Sequence, residues 1–311
     1  MTQRTRRAEG RAAERRAEGD EPQYGALLDA VRGLRWHARR AARIAVPGIH
    51  PSRVRGTSAE FTEYRAYRQG DDLRRVDWKL FARSDRAHVR ISEERAVTPT
   101  MIVLDASASM AFPDGSSSKW TLARQLAVAL AAIAHAGGDP VGLAVAGAES
   151  RTLLPRTRRG VVAEMIRVVD DISANGTAPL APCVSAAARA AVRVAIVTDF
   201  LGDGEGLLRS AREMTVAGRD VYGIHVIAQA ELDPPQSTSV VMDPEDAAVR
   251  RAMTDATRTE YLRAFAAWRA ATADSWLASG AAYRVVVAGQ EPASHAARRI
   301  VRDEPALAGA V

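Results

Sequence analysis

The sequence predicts an α/β fold, a doubly wound and mainly parallel sheet, preceded by an N-terminal helical and charged accessory segment. Three observations point there. Beyond Thr100, short apolar runs of strand length alternate with longer stretches of helical periodicity, the pattern of an open sheet covered on both faces. Two of those runs, 101–104 and 193–198, are followed at once by an aspartate, Asp105 and Asp199. The chain of 311 residues is 47% apolar, enough to bury a sizeable core.

Taken in order, residues 1–23 form an Arg-rich tail with no apolar face, expected to be disordered. A helix is predicted over 24–44, with Leu27, Val31 and Leu34 on one face and Arg32, Arg35, Arg39 and Arg43 along another. That basic stripe reads as a solvated face or as a docking surface. Prolines in 47–56 break the helix, and an irregular charged segment follows at 58–94. Together 24–97 form the accessory region.

The α/β domain is expected over 98–290. Its strands are predicted at 101–104, 141–146, 193–198, 221–227 and 283–287, with 151–154 as an edge strand. Helices are expected at 120–136 (closed by Gly137 and Gly138), 161–172, 184–191, 206–217 and 245–277. In the last of these, Tyr261, Phe265 and Trp268 make an aromatic stripe that reads as core. Residues 291–311 are expected to be a C-terminal tail.

Composition narrows the function. The formal net charge of +6 is carried almost wholly by arginine, with Lys79 and Lys119 the only lysines. The positives are interleaved with acids and do not form one basic run, which argues against nucleic-acid binding. Cys183 is the only cysteine, so an internal disulfide and a cysteine-based zinc cluster are excluded. The charged start has no apolar core for a signal peptide, and the apolar stretches at 126–136 and 192–197 are too short to span a bilayer. A cytoplasmic protein is expected.

The chemistry concentrates at strand ends, where ligands sit in open parallel sheets. In DASASM, Asp105, Ser107 and Ser109 alternate directly after a strand. An extended loop would aim all three at one point. One carboxylate with two hydroxyls is a hard oxygen set of low charge, suited to Mg²⁺ or Mn²⁺. Thr177 follows the Asn175-Gly176 turn, and Asp199 closes the run IVTDF. In order and spacing, Asp105, Ser107, Ser109, Thr177 and Asp199 resemble the metal-ion-dependent adhesion site of von Willebrand factor A (vWA) domains, over about 98–287.

A second stretch refines that resemblance. EFTEYRAYRQGDDLRRVDWKLFAR, residues 60–83, is similar to the signature of domain-of-unknown-function family 58, as is VVMDPED before the long helix. These are bacterial vWA-like proteins found alongside MoxR-type AAA+ ATPases. Many carry N-terminal transmembrane helices, and no such stretch is visible here. The resemblance implies a non-catalytic module whose ion is completed by an Asp or Glu carboxylate of a client protein, working with a MoxR-type ATPase in assembly or remodelling. Within the signature, Glu60, Glu63, Arg65, Asp71, Asp72, Arg74, Asp77 and Arg83 suffice for a salt-bridge network, with Phe61, Tyr64, Tyr67 and Trp78 packed beneath. It reads either as a structural accessory or as a partner-docking surface, with Glu60, Tyr64, Arg65, Asp71, Asp72, Arg74, Asp77, Trp78 and Arg83 as its contact residues.

Two other classes are weighed. A haloacid-dehalogenase-like phosphatase also sets an Asp after its first strand but needs a second Asp two residues on, where this chain has Ser107. A binder of nucleic acid or an anionic surface would act through the arginines of 32–43 and 53–90, with steep salt dependence. GDGEG at 202–206 lacks calcium-loop spacing and reads as a strand–helix turn. No phosphate-binding GxxxxGK[ST] loop is present. The histidines His37, His50, His88, His135, His225 and His295 are scattered and read as structural or surface residues.

Overall fold

A computed structural model describes residues 24–39, 61–69, 71, 73, 76–92, 97–177, 180–234, 239–242 and 250–304. The chain divides into two compact units, one spanning 47–97 and the other the remainder.

Helix α1 (Tyr24–Ala30) belongs to the larger unit and is shorter than the helix predicted over 24–44. Gly33 adopts φ +80°, a left-handed conformation that ends helices, and the chain runs on without regular structure to Arg39. This break lets Trp36 turn inward, where it is buried edge-on against Tyr222. Residues 40–44 of the predicted helix lie outside the described residues, as does the tail 1–23.

The smaller unit pairs β1 (Phe61–Ala66) antiparallel with β2 (His88–Ser92), and α2 (Trp78–Ser84) lies between them in sequence. Asp77 caps α2 by accepting from the Lys79 and Leu80 amides.

In the larger unit the central sheet comprises β3 (Thr100–Ala106), β4 (Val141–Gly147), β5 (Arg151–Arg156), β6 (Arg193–Thr198), β7 (Asp220–Ala228) and β10 (Ala282–Ala288), in spatial order β10-β7-β6-β3-β4-β5. All pairs are parallel except the β5 edge. The predicted strands are therefore all present, and the antiparallel edge tolerates Pro155 because an edge strand has spare amides.

Strand periodicity sorts side chains between two cores. Ile102, Leu104, Ala195 and Val197 face one layer; Met101, Val103, Val194 and Ile196 face the other. The first layer holds α3 (Lys119–Ala136), α4 (Val161–Asp170) and α9 (Ala293–Val301) together with α1. The second holds α5 (Leu180–Ala190), α6 (Gly204–Val216) and the end of α8 (Asp255–Ala278), through Trp276. A single turn, α7 (Gln229–Leu232), follows β7.

Three expectations are corrected. Residues 250–253 are not helical but form β9 (Arg250–Met253), paired with β8 (Ser239–Met242), and the long helix starts only after Thr254 caps it; the predicted start at 245–249 lies outside the described residues. The aromatic stripe of α8 is half-buried, its rings stacked on one another; of the three, Trp268 packs against the second core and meets His225 edge-on, and Trp276 is the α8 residue that is fully buried. Finally, 293–301 is a helix whose Ala296, Ala297, Ile300 and Val301 are buried in the first layer, where a tail was expected.

At the amino-terminal edge of the sheet, Arg193 is fully buried. It donates to the Trp36 carbonyl at 2.9 Å and to Asp139 at 3.2 Å, and its guanidinium lies 4.5 Å from the Trp36 ring centre. One buried cation thus fastens the 34–39 segment to the sheet.

Candidate metal centre

The opposite, carboxyl edge gathers the residues of interest. β3 and β6 are direct parallel neighbours, with Leu104 beside Val197, so Asp105 and Asp199 emerge from adjacent strand ends. Asp105 is 7% exposed. Its Oδ1 accepts from the Ser107 amide at 2.9 Å and its Oδ2 from the Thr198 hydroxyl at 2.6 Å. Burial pushes the Asp105 carboxyl above the usual carboxylate range; the bonds from Thr198 and Ser107 oppose this, and the charge of Asp199 adds to it. A carboxylate in that position gains from a cation.

After Asp105 the chain stays extended at Ser107 and then closes a 3₁₀ turn over Ala108–Ala111. The turn brings the Ser107 and Ser109 hydroxyls, both buried, to 3.1 Å from each other. Neighbouring ligands of an octahedral Mg²⁺, each about 2.1 Å from the ion, stand about 3 Å apart. The pair therefore fits two adjacent positions around a small hard cation.

The loop carrying Thr177 docks beside them. The Asn175 amide donates to the Ala106 carbonyl, the Ala108 amide donates to the Gly176 carbonyl (each 2.9 Å), and Gly176 sits at φ +66°. Thr177 follows directly and is exposed. Its loop is thus pinned to the Asp105 loop by two backbone bonds.

Asp199 is buried and already engaged. Its Oδ1 accepts from the Leu201 amide at 3.1 Å, and its Oδ2 lies 2.8 Å from Lys119 Nζ. Phe200, next in sequence, is held at φ +59°, a strained conformation for a bulky side chain. Its ring packs against His225, Trp276 and Tyr283, which fixes the turn that aims Asp199. Burial drives His225 down to about 3, so this ring is neutral at ordinary pH.

Sequence reasoning missed three participants. Thr198 binds Asp105, while Lys119 and Glu231 form ion pairs reaching Asp199. Lys119 carried one signal, being one of two lysines in an arginine-rich chain and opening the buried helix that follows the DASASM loop. Nothing local marks Glu231. Among the described residues no group of three or more His, Cys, Asp or Glu is arranged to hold a metal, so an ion here would rest on hydroxyls and few carboxylates.

The signature segment gives less. Arg65 pairs with Asp71 at 2.7 Å, and this contact, with the Arg68 amide, holds the Asp71 carboxyl below its ordinary range; the Arg65 bond is the larger cause. Asp77 is a helix cap, and Arg83 is exposed. Trp78 does not pack beneath the charges as expected: it is the first residue of α2, 58% exposed and edge-on to Phe81. Glu60, Asp72 and Arg74, and the side chains of Phe61, Glu63 and Tyr64, lie outside the described residues. Asp203 accepts from the Gly206 amide at 2.8 Å and caps α6, so GDGEG is the strand–helix turn it was read as.

Residues 63–271 match the family described as protein of unknown function DUF58. Uncharacterized proteins of Mycobacterium tuberculosis and Mycobacterium bovis are each 31% identical over 267 residues, which cover 83% of this chain and 83% of theirs. Among solved structures, an aerotolerance-related membrane protein from Bacteroides fragilis is 19% identical with a TM-score of 0.44, over 66% of this chain and 97% of its own. The conserved hypothetical protein BatB from Bacteroides thetaiotaomicron is 17% identical with a TM-score of 0.42, over 66% and 96%.

Proposed function

We propose that this chain, which belongs to the family of unknown function DUF58, is a non-catalytic module that grips a partner protein through a bound divalent ion, Mg²⁺ or Mn²⁺. The observation that carries this reading is the 3.1 Å pairing of the Ser107 and Ser109 hydroxyls beside the buried Asp105 carboxylate.

Asp105, Ser107 and Ser109 would hold the ion, with Thr177 and Asp199 completing the protein's share. Bound there, the ion supplies an electrophilic position that an external carboxylate fills. The residues keep it electrophilic by contributing little charge: two hydroxyls neutralise nothing, and Asp199 already shares its charge with Lys119. Thr198 and the Ser107 amide orient the Asp105 carboxylate, so that little reorganisation is needed.

The same donor set supports binding over hydrolysis. Ser107 stands where a phosphatase of the Asp-nucleophile type needs its acid, and the buried neutral His225 bonds Tyr283 rather than facing a nucleophile. The family resemblance makes a MoxR-type AAA+ ATPase the expected co-worker, and a client with an exposed Asp or Glu the expected ligand. A cytoplasmic setting is part of the proposal; no helix among the described residues is long and apolar enough to cross a membrane.

The test is capture of a MoxR-type ATPase by the immobilised chain in Mg²⁺, in chelator and in high salt. The reading predicts loss in chelator, recovery on adding Mg²⁺, and no capture by folded Asp105→Ala. Capture indifferent to chelator but abolished by salt would assign the contact to the arginines instead.

A further inference from the structure

Three charged groups meet behind the candidate centre. Lys119 Nζ lies 2.8 Å from Asp199 Oδ2 and 2.7 Å from Glu231 Oε1, and its side chain is 1% exposed. The lysine is delivered by the first turn of α3, where Ser118 caps the helix and the Lys119 amide donates to the Phe112 carbonyl at 3.0 Å. Glu231 is fixed in turn, its second oxygen accepting from the Ala228 amide at 2.7 Å. A lone buried ammonium would be costly, and two carboxylates satisfy this one. Burial alone would lower the lysine's affinity for its proton; Asp199 and Glu231 outweigh that and raise it.

The arrangement places a fixed cation on Asp199, one of the two buried carboxylates of the candidate centre. We propose that Lys119 is a tethered cation that sets the centre's affinity for a divalent ion, cancelling negative charge there and holding Asp199 Oδ2 away from the ion. This rests on the reading of Asp105, Ser107 and Ser109 as a metal centre. Glu231 holds the ammonium in place without contributing to the ion's own ligands, so α7 and the end of β7 share control of the centre.

The charge balance makes the proposal testable by sign. Asp105, Asp199 and Glu231 against Lys119 leave two negative charges. Lys119→Met leaves three, Glu231→Gln leaves one, and the double variant restores two. Mg²⁺ titration by calorimetry should give tighter binding in Lys119→Met and weaker binding in Glu231→Gln, each on the order of tenfold, with the double variant close to wild type. Should Lys119→Met fail to fold, adding it to Glu231→Gln carries the same test, since affinity must then rise by about the same factor.

A purely structural lysine gives a different order: both variants lacking Lys119 bind more weakly than wild type, which overturns the proposal. Binding in wild type that Asp105→Ala removes, with the charge variants unchanged, overturns the proposal and leaves the metal reading standing. No binding by wild type, Lys119→Met or the double variant removes both.

Discussion

Thr198 Oγ1 lies 2.6 Å from Asp105 Oδ2, tying the last residue of β6 to the carboxylate at the end of its parallel neighbour β3. The same hydroxyl oxygen accepts from the Phe200 amide at 3.2 Å, so one side chain both orients Asp105 and holds the turn that carries Asp199. The two halves of the candidate centre are joined through it.

Thr198→Val keeps the shape and removes the donor. The buried Asp105 oxygen then loses its partner, and stability without metal should fall by about 1–3 kcal/mol, read from urea denaturation. Mg²⁺ should recover part of that loss, because a cation satisfies the freed oxygen. An unchanged midpoint would mean that the bond contributes nothing to orienting Asp105.

His225 gives a pH signature. Its folded pKa of about 3 is set first by burial and lies below the ordinary value of 6.5. Between those values the unfolded chain binds a proton that the native state refuses, so stability falls as pH drops below about 6.5, by up to about 1.4 kcal/mol per pH unit. His225→Gln, which keeps a polar group toward Tyr283, should flatten the dependence by close to one proton between pH 6 and pH 4. A slope equal to wild type would show that His225 is not buried neutral.

Arg193 anchors the opposite edge. Arg193→Met removes the guanidinium that pairs with Asp139 and Asp220 and that donates to the Trp36 carbonyl. A loss of about 3–5 kcal/mol is expected, as for removing one partner of a buried ion pair. Amide exchange should quicken over 34–39 before the sheet itself opens. Protection there equal to wild type would contradict the anchoring role.

What was legible in the sequence follows from how local each signal is. Apolar runs closed by Asp105 and Asp199 announced strand ends, because a buried parallel strand is continuous in sequence and its end is where polarity returns. The Ser107 and Ser109 hydroxyls were legible for the same reason, one short loop carrying both. The predicted helix over 24–44 failed at Gly33, since Val31 and Leu34 meet the core from a turn as well as from a helix. The helix Ala293–Val301 was hidden because its inward face is largely alanine, which gives little contrast against a polar tail. Lys119, Asp199 and Glu231 meet only after three separate strand ends are placed side by side, and no local spacing encodes that.

The most direct test of the central claim is calorimetric titration of Mg²⁺ into wild type and into the variant carrying Asp105→Ala with Ser107→Ala. The account predicts one saturable site in wild type and none in a folded variant. Equal binding by both, or no binding by wild type, would contradict it.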